Sequence, residues 1–124
     1  TLAVLDRSAS VRATLAVEDL AVDLDVAMRL GLVAHELVSN ACKHAWPHGR
    51  GGRIRIRFGR SFAAPTFYDL VVEDDGVGMP PSPSPRDTLG LELVERLVAP
   101  LRGVVRIESE GGTRVRVQFE ERSP

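Results

Sequence analysis

The 124 residues fit one domain, long enough to bury roughly two-thirds of the unfolded surface around a single core. A formal net charge of -1 supplies no overall field for nucleic acid or an anionic membrane, so any anion site has to be built locally. The single cysteine, Cys42, excludes an internal disulfide and a multi-cysteine zinc site and fits a reducing cytoplasm, and no apolar run approaches the ~20 residues that span a bilayer.

Thr1 opens in mid-pattern, with neither a methionine nor a basic-then-apolar leader, and the chain reads as a soluble, cytoplasmic piece of something larger. Residues 1–25 give strand-like apolar runs, Leu2 to Leu5 and Val11 to Val17. Asp23 or Asp25 is placed to cap a helix running to about Ala45, in which Val26, Leu30, Val33, Leu37 and Ala41 form one apolar stripe. Pro47 and Gly49 end it. Arg53 to Phe58 alternates strictly, with Ile54, Ile56 and Phe58 on one face and three arginines on the other, the pattern of a half-solvated strand. Phe67 to Glu73 is its neighbour, across a loop containing Pro65. Residues 76–88 are rich in Gly, Pro and Ser, with prolines at 80, 81, 83 and 85, and are expected to form neither helix nor inner strand. A second amphipathic helix is expected over about 89–100, aligned on Leu93, Leu97 and Leu101 and ended by Gly103. A hairpin closes the chain: Val104 to Ser109, a turn at Gly111-Gly112, and Thr113 to Phe119. The simplest packing of these pieces is an α/β two-layer sandwich, with helices on one face of a mixed, mostly antiparallel sheet. The sequence contains no internal repeat.

Four short segments carry chemistry. On the first helix Glu36, Asn40 and Lys43 sit at i, i+4 and i+7, so a carboxylate, an amide oxygen and an ammonium share one side. That set suits hydrated magnesium and the phosphates it bridges, although a solvated helix face with a charge pair gives the same pattern. Asp74, Gly76 and Gly78 place a carboxylate at a strand end beside bare backbone, able to accept from an exocyclic amine while a flat ring lies against the glycines. An ordinary Asp-Gly turn would look alike, and Pro81 in place of a third glycine is a poor fit to a dinucleotide fingerprint. Thr88-Leu89-Gly90-Leu91 puts a glycine at a helix start, where free amides and the helix dipole favour phosphate. Gly111-Gly112-Thr113 is explained equally by a hairpin turn.

Taken in order, these segments resemble the histidine-kinase-like ATPases, the Bergerat-fold superfamily of sensor kinases, gyrase B, Hsp90 and MutL, over about residues 20–119. Glu36 to Asn40 resembles the N box, Asp74-x-Gly76-x-Gly78 the G1 box, Leu89-Gly90-Leu91 the G2 box, and Gly112-Thr113 the pair that closes the site. The stretches Glu36 to Ala45 and Leu89 to Val94 are similar to sensor kinases of the HisKA_2 and HWE types. His35 before Glu36 is an HWE-like feature, but Val72 and Asp74 stand where HWE kinases carry Trp-x-Glu, which favours HisKA_2.

The resemblance implies ATP and magnesium as cofactors. Asp74 would accept the adenine amine, with Gly76, Gly78 and Thr113 shaping the base pocket and Met79 packing near the ring. Asn40 would ligate magnesium, Glu36 would act as a base or orient a magnesium-bound water, and Lys43 with His44 would meet the phosphates. The amides of Leu89, Gly90 and Leu91 would hold the phosphate chain, and residues 80–88 would form a short lid. Thr88 replaces the superfamily's first glycine there, a departure that removes one permissive backbone position. The implied partners are a phosphoacceptor helical hairpin upstream of residue 1 and, beyond it, a response regulator, so the isolated chain is expected to bind ATP yet barely autophosphorylate.

Two alternatives stay open on the same fold, an anti-sigma-factor-type serine kinase and a non-catalytic nucleotide-binding interaction module. A phosphoacceptor box at His35-Glu36 is at odds with the downstream glycine boxes, and a His-Glu-x-x-His zinc site fails because Ser39 holds its last position. His35 and His48 are read as surface and loop histidines, and Trp46 as closing the core.

Overall fold

The structure, a computed structural model, describes residues 2–6, 11–47, 51–78 and 85–120. Six strands form one sheet: β1 (Leu2–Asp6), β2 (Val11–Val17), β3 (Arg53–Arg60), β4 (Phe67–Asp74), β5 (Val104–Glu108) and β6 (Arg114–Glu120), in the order β1-β2-β3-β4-β6-β5. Two helices, α1 (Leu24–His44) and α2 (Pro85–Val98), pack on one face, and a 3-10 turn at Ala99–Leu101 follows α2. The expected two-layer, mostly antiparallel architecture is the one observed. Its single parallel pair is β2 with β3, and α1 is the crossover that such a pair requires.

Asp23 occupies the N-cap of α1, but its side chain makes no capping bond; its carbonyl accepts from Ala27 N at 2.9 Å. Asp25, in the first turn, instead pairs with Arg29 at 3.0 Å. The apolar stripe turns inward as its spacing dictates: Leu30, Val33, Leu37 and Ala41 are buried and Val26 is partly so. On the sheet, the register aligns Leu15, Ile56, Val72, Val115 and Ile107 in one row beneath the helices, and Val17, Phe58, Leu70, Val117 and Val105 in the next. Phe58, Tyr68 and Phe119 close the far end with ring centroids 5.5–6.5 Å apart, a spacing at which aromatic pairs attract.

One expectation is corrected. The segment 76–88, read as excluding helix, is helical from Pro85 onward, so α2 starts four residues before the expected Leu89. Proline is tolerated at a helix's first position, where its missing N–H has no partner to lose and its fixed φ already suits the helix. At the other end the last turn tightens to 3-10 around Pro100, and Arg102 takes a left-handed conformation (φ 54°) before Gly103.

Candidate nucleotide-binding site

A cleft opens between α1 and the sheet where β4 ends and β6 begins. Leu37, Asn40, Ala41, His44 and Ala45 form one wall, Val72 and Val115 the sheet side, and Leu91 the flank on α2. Asp74, Gly78 and Thr113 close its inner end. Counted out to the solvent at its mouth, the empty space is about 560 Å³. The walls are apolar and the polar groups few, which suits a flat heteroaromatic ring.

Asp74 is the best-defined group in it. Its Oδ1 accepts from Gly76 N at 2.9 Å and Thr113 N at 3.2 Å, and its own N–H donates to Thr113 O at 2.9 Å. One carboxylate oxygen is thus pinned by backbone. Among the described residues the other oxygen has no partner, in a group that lines the cleft. Burial pushes this carboxyl above its ordinary value, the Gly76 and Thr113 N–H groups pull it back, and the neighbouring Asp75 charge adds to the rise.

The glycines around Asp74 are close approaches. A Cβ on Gly76 would run into the carbonyl and methyl of Ala45, and Val77 N donates to that carbonyl at 2.8 Å. Gly112, at φ 123°, sits against the Asp74 carbonyl, leaving no room for a side chain. The hairpin-turn reading of Gly111-Gly112 is therefore only half of it: Gly111 turns the chain in open space, whereas Gly112 seats β6 against the site.

Glu36 and Asn40 meet Gly90 where α2 crosses α1. The glycine leaves its Cβ position to the Glu36 carboxylate, and a Cβ there would lie 3.6 Å from Asn40 Nδ2. The N box and the third motif are thus brought together, beside the cleft. The phosphate-binding expectation shifts, however. Because α2 begins at Pro85, Leu89, Gly90 and Leu91 lie in its second turn, with their amides engaged in the helix; free amides belong to the first turn before Thr88, where Pro85 itself supplies none. Leu91 lines the cleft, while Thr88 and Leu89 are exposed. Lys43 is exposed on α1 and outside the cleft lining, whereas His44 lies within it. Met79, His48, Gly49 and the lid positions 80–84 lie outside the described residues.

The sequence reading missed the brace behind Asp74. Trp46 Nε1 donates to Asp75 Oδ1 at 3.1 Å, and the same oxygen accepts from Arg53 N at 3.0 Å. Gly52 makes room for both side chains. The doubled Asp74-Asp75 was the available signal: one carboxylate faces the cleft and the other ties the loop to β3.

Residues 25–123 match the family described as histidine kinase-, DNA gyrase B- and HSP90-like ATPase. The chain belongs to that family. Among curated members, it is 42% identical over 80 residues to sensor histidine kinase PdtaS of Mycobacterium tuberculosis, covering 62% of this chain and 15% of that protein. It is 28% identical over 111 residues to blue-light-activated histidine kinase 2 of Erythrobacter litoralis, covering 88% of this chain and 31% of that one. A solved Erythrobacter litoralis blue-light activated histidine kinase superposes with a TM-score of 0.76 at 26% identity, over 89% of this chain and 35% of the other. This ATPase-family chain therefore spans less than a third of the curated kinases it resembles. No helix among its described residues is long and apolar enough to cross a membrane.

The site suits the nucleotide such a family implies. Asp74 offers an unpartnered acceptor between apolar walls, and Asn40 offers an amide oxygen or nitrogen at the mouth. Among the described residues no three His, Cys, Asp or Glu side chains gather into a metal cage. Magnesium needs no such cage, being commonly held through substrate phosphates, waters and one or two protein oxygens.

Proposed function

We propose that residues 1–124 form the ATP-binding catalytic domain of a sensor histidine kinase. It would bind Mg-ATP and donate the γ-phosphoryl group to a histidine on a separate phosphoacceptor hairpin, from which it passes to a response-regulator aspartate. The observation that carries this reading is Asp74: a half-buried carboxylate, one oxygen fixed by two backbone N–H groups and the other left for the cleft. A ring with an exocyclic amine satisfies that acceptor, and Val72, Leu91 and Val115 supply the apolar contact. Gly76 and Thr113 hold the carboxylate's position through their N–H groups, Gly78 lines the cleft, and Met79 would pack near the ring.

At the mouth, Asn40 would hold magnesium through its amide oxygen, with Glu36 orienting a water or acting as the base. His44, together with Lys43 from the rim, would meet the phosphates. Bound magnesium supplies charge neutralisation and geometry for phosphoryl transfer, which rests mostly on positioning. The phosphate chain would meet the N-terminal part of α2, the element that carries Leu89, Gly90 and Leu91.

Similarity to PdtaS and to the blue-light kinase supports a histidine acceptor over the serine kinase alternative. Supplying the parent's phosphoacceptor hairpin in trans, with ATP and magnesium, tests it. The expected product is an acid-labile, base-stable phosphate on the hairpin. Phosphoserine on a partner would move the reading to the anti-sigma type, and ATP binding without any transfer would move it to a non-catalytic module.

A further inference from the structure

The sheet has a second face, away from both helices, where the register sorts side chains into rows. One row runs Thr14, Arg55, Glu73, Arg114 and Glu108 across β2, β3, β4, β6 and β5. It neutralises itself around Glu73, which accepts from Arg114 Nε at 2.9 Å and stands 3.9 Å from Arg55 Nη1. The next row is Ala16, Arg57, Val71, Arg116 and Arg106, with three guanidiniums and no acid. Beyond it, the carboxylate of Asp69 is taken up by Gln118 Nε2 at 2.9 Å. The flanking rows carry acids of their own, Glu73 and Glu108 on one side and Asp69 with Glu18 over Gly59 on the other, whereas the middle row carries none.

Within the middle row, Arg116 and Arg106 are directly opposed on β6 and β5, a placement that destabilises a strand pair when the charges are alike. Arg116 Nε is buried and, among the described residues, without a hydrogen-bond partner, which leaves a donor unsatisfied. Arg57 stands 5.6 Å from the ring centroid of Phe62, an aromatic that is 92% exposed. The like-charge crowding favours an anionic group at this row.

The geometry points to the Arg57–Arg116–Arg106 row as a docking surface for an acidic polypeptide segment. Guanidinium forks take carboxylates in bidentate fashion. Neighbouring strands are about 4.8 Å apart, close to the about 5–6 Å between side chains one turn apart on a helix. An exposed Phe62 beside arginines, with Val104 at the margin, is the composition of a protein interface. The carboxylates of Glu73 and Asp69 on either side disfavour a continuous polyanion such as a nucleic-acid duplex or an anionic lipid surface. This face lies across the sheet from the cleft, so docking there does not depend on the nucleotide reading.

The test is a titration of the isotope-labelled chain with a short polyglutamate peptide at low ionic strength, where surface charge is least screened. A short DNA duplex and phosphatidylglycerol vesicles run in parallel. The expected result is saturable peptide binding, with amide shifts confined to residues 55–57, 71, 104–106 and 114–118. Binding should weaken by about tenfold in Arg57→Gln/Arg106→Gln/Arg116→Gln. Should the Arg116 change lower the melting temperature, the double variant Arg57→Gln/Arg106→Gln should still weaken it by about threefold. The charge-matched control Arg96→Gln/Arg102→Gln should leave it unchanged. Absence of binding, shifts scattered or centred on the cleft, equal loss in the control, or tighter binding of the duplex or vesicles through the same arginines would overturn the proposal.

Discussion

Asp74 is held in a position that is good for recognition and costly for folding. Its carboxyl is pushed above the ordinary value chiefly by burial, so the folded chain keeps this proton more tightly than the unfolded one. The stabilisation from that difference is complete below the unfolded value of ~3.9 and is lost as pH rises through the folded-state value. At neutral pH the buried charge therefore weighs against folding. Asp74→Asn keeps an oxygen for the Gly76 and Thr113 N–H groups and removes the charge. It should melt no earlier than the parent at neutral pH, and its advantage should shrink as the solution is acidified toward about pH 4. Thermal denaturation across that range checks it; a variant that is less stable at neutral pH would mean the charge is compensated in the fold.

Gly112 makes the opposite case, a residue whose effect is mostly steric. At φ 123° and against the Asp74 carbonyl, Gly112→Ala should cost about 1–3 kcal/mol from backbone strain alone. Denaturant unfolding should show that loss, and weaker nucleotide binding should accompany it as the Thr113 N to Asp74 bond loosens.

At the scale of elements, α1 and α2 meet at Glu36 and Gly90, and the glycine is there for the carboxylate. A Cβ at position 90 would meet the end of a flexible side chain rather than backbone. Alanine also favours a helix interior over glycine by about 1 kcal/mol. Gly90→Ala should therefore leave the melting temperature unchanged or raised, while displacing Glu36 and slowing transfer to a hairpin by about tenfold or more. Unchanged transfer would remove Glu36 from the working site.

The same pair of helices shows what was legible in the sequence. α1 could be read because its stripe repeats over five positions from Val26 to Ala41, and β3 because Ile54, Ile56 and Phe58 alternate with arginine. Each pattern is the local imprint of one buried face. The start of α2 was hidden because four prolines within six residues suggest a loop, and only Pro85 in a first-turn position distinguishes helix from coil. That misplacement carried into the site by putting free amides at Leu89 to Leu91. The parallel pairing of β2 with β3 spans the whole of α1 and leaves no nearby mark. Val72 and Val115 read as strand core; only the three-dimensional neighbourhood of Asp74 makes them cleft walls as well.

For the whole molecule, one sheet presents two surfaces of different chemistry. The helix-covered side ends in an apolar cleft with one directed carboxylate. The open side carries a row of three arginines with no acid among their register partners. A net charge of -1 conceals this division, because the charges are distributed by strand register rather than by segment. The cleft is the center of the functional account, and calorimetric titration with ATP and magnesium addresses it most directly. The parent chain should bind one nucleotide, and Asp74→Asn, folded and at least as stable, should bind about ten- to a hundredfold more weakly as its amide turns a donor toward the adenine amine. Equal affinity in the two proteins, or none in either, would contradict the assignment of this cleft to ATP.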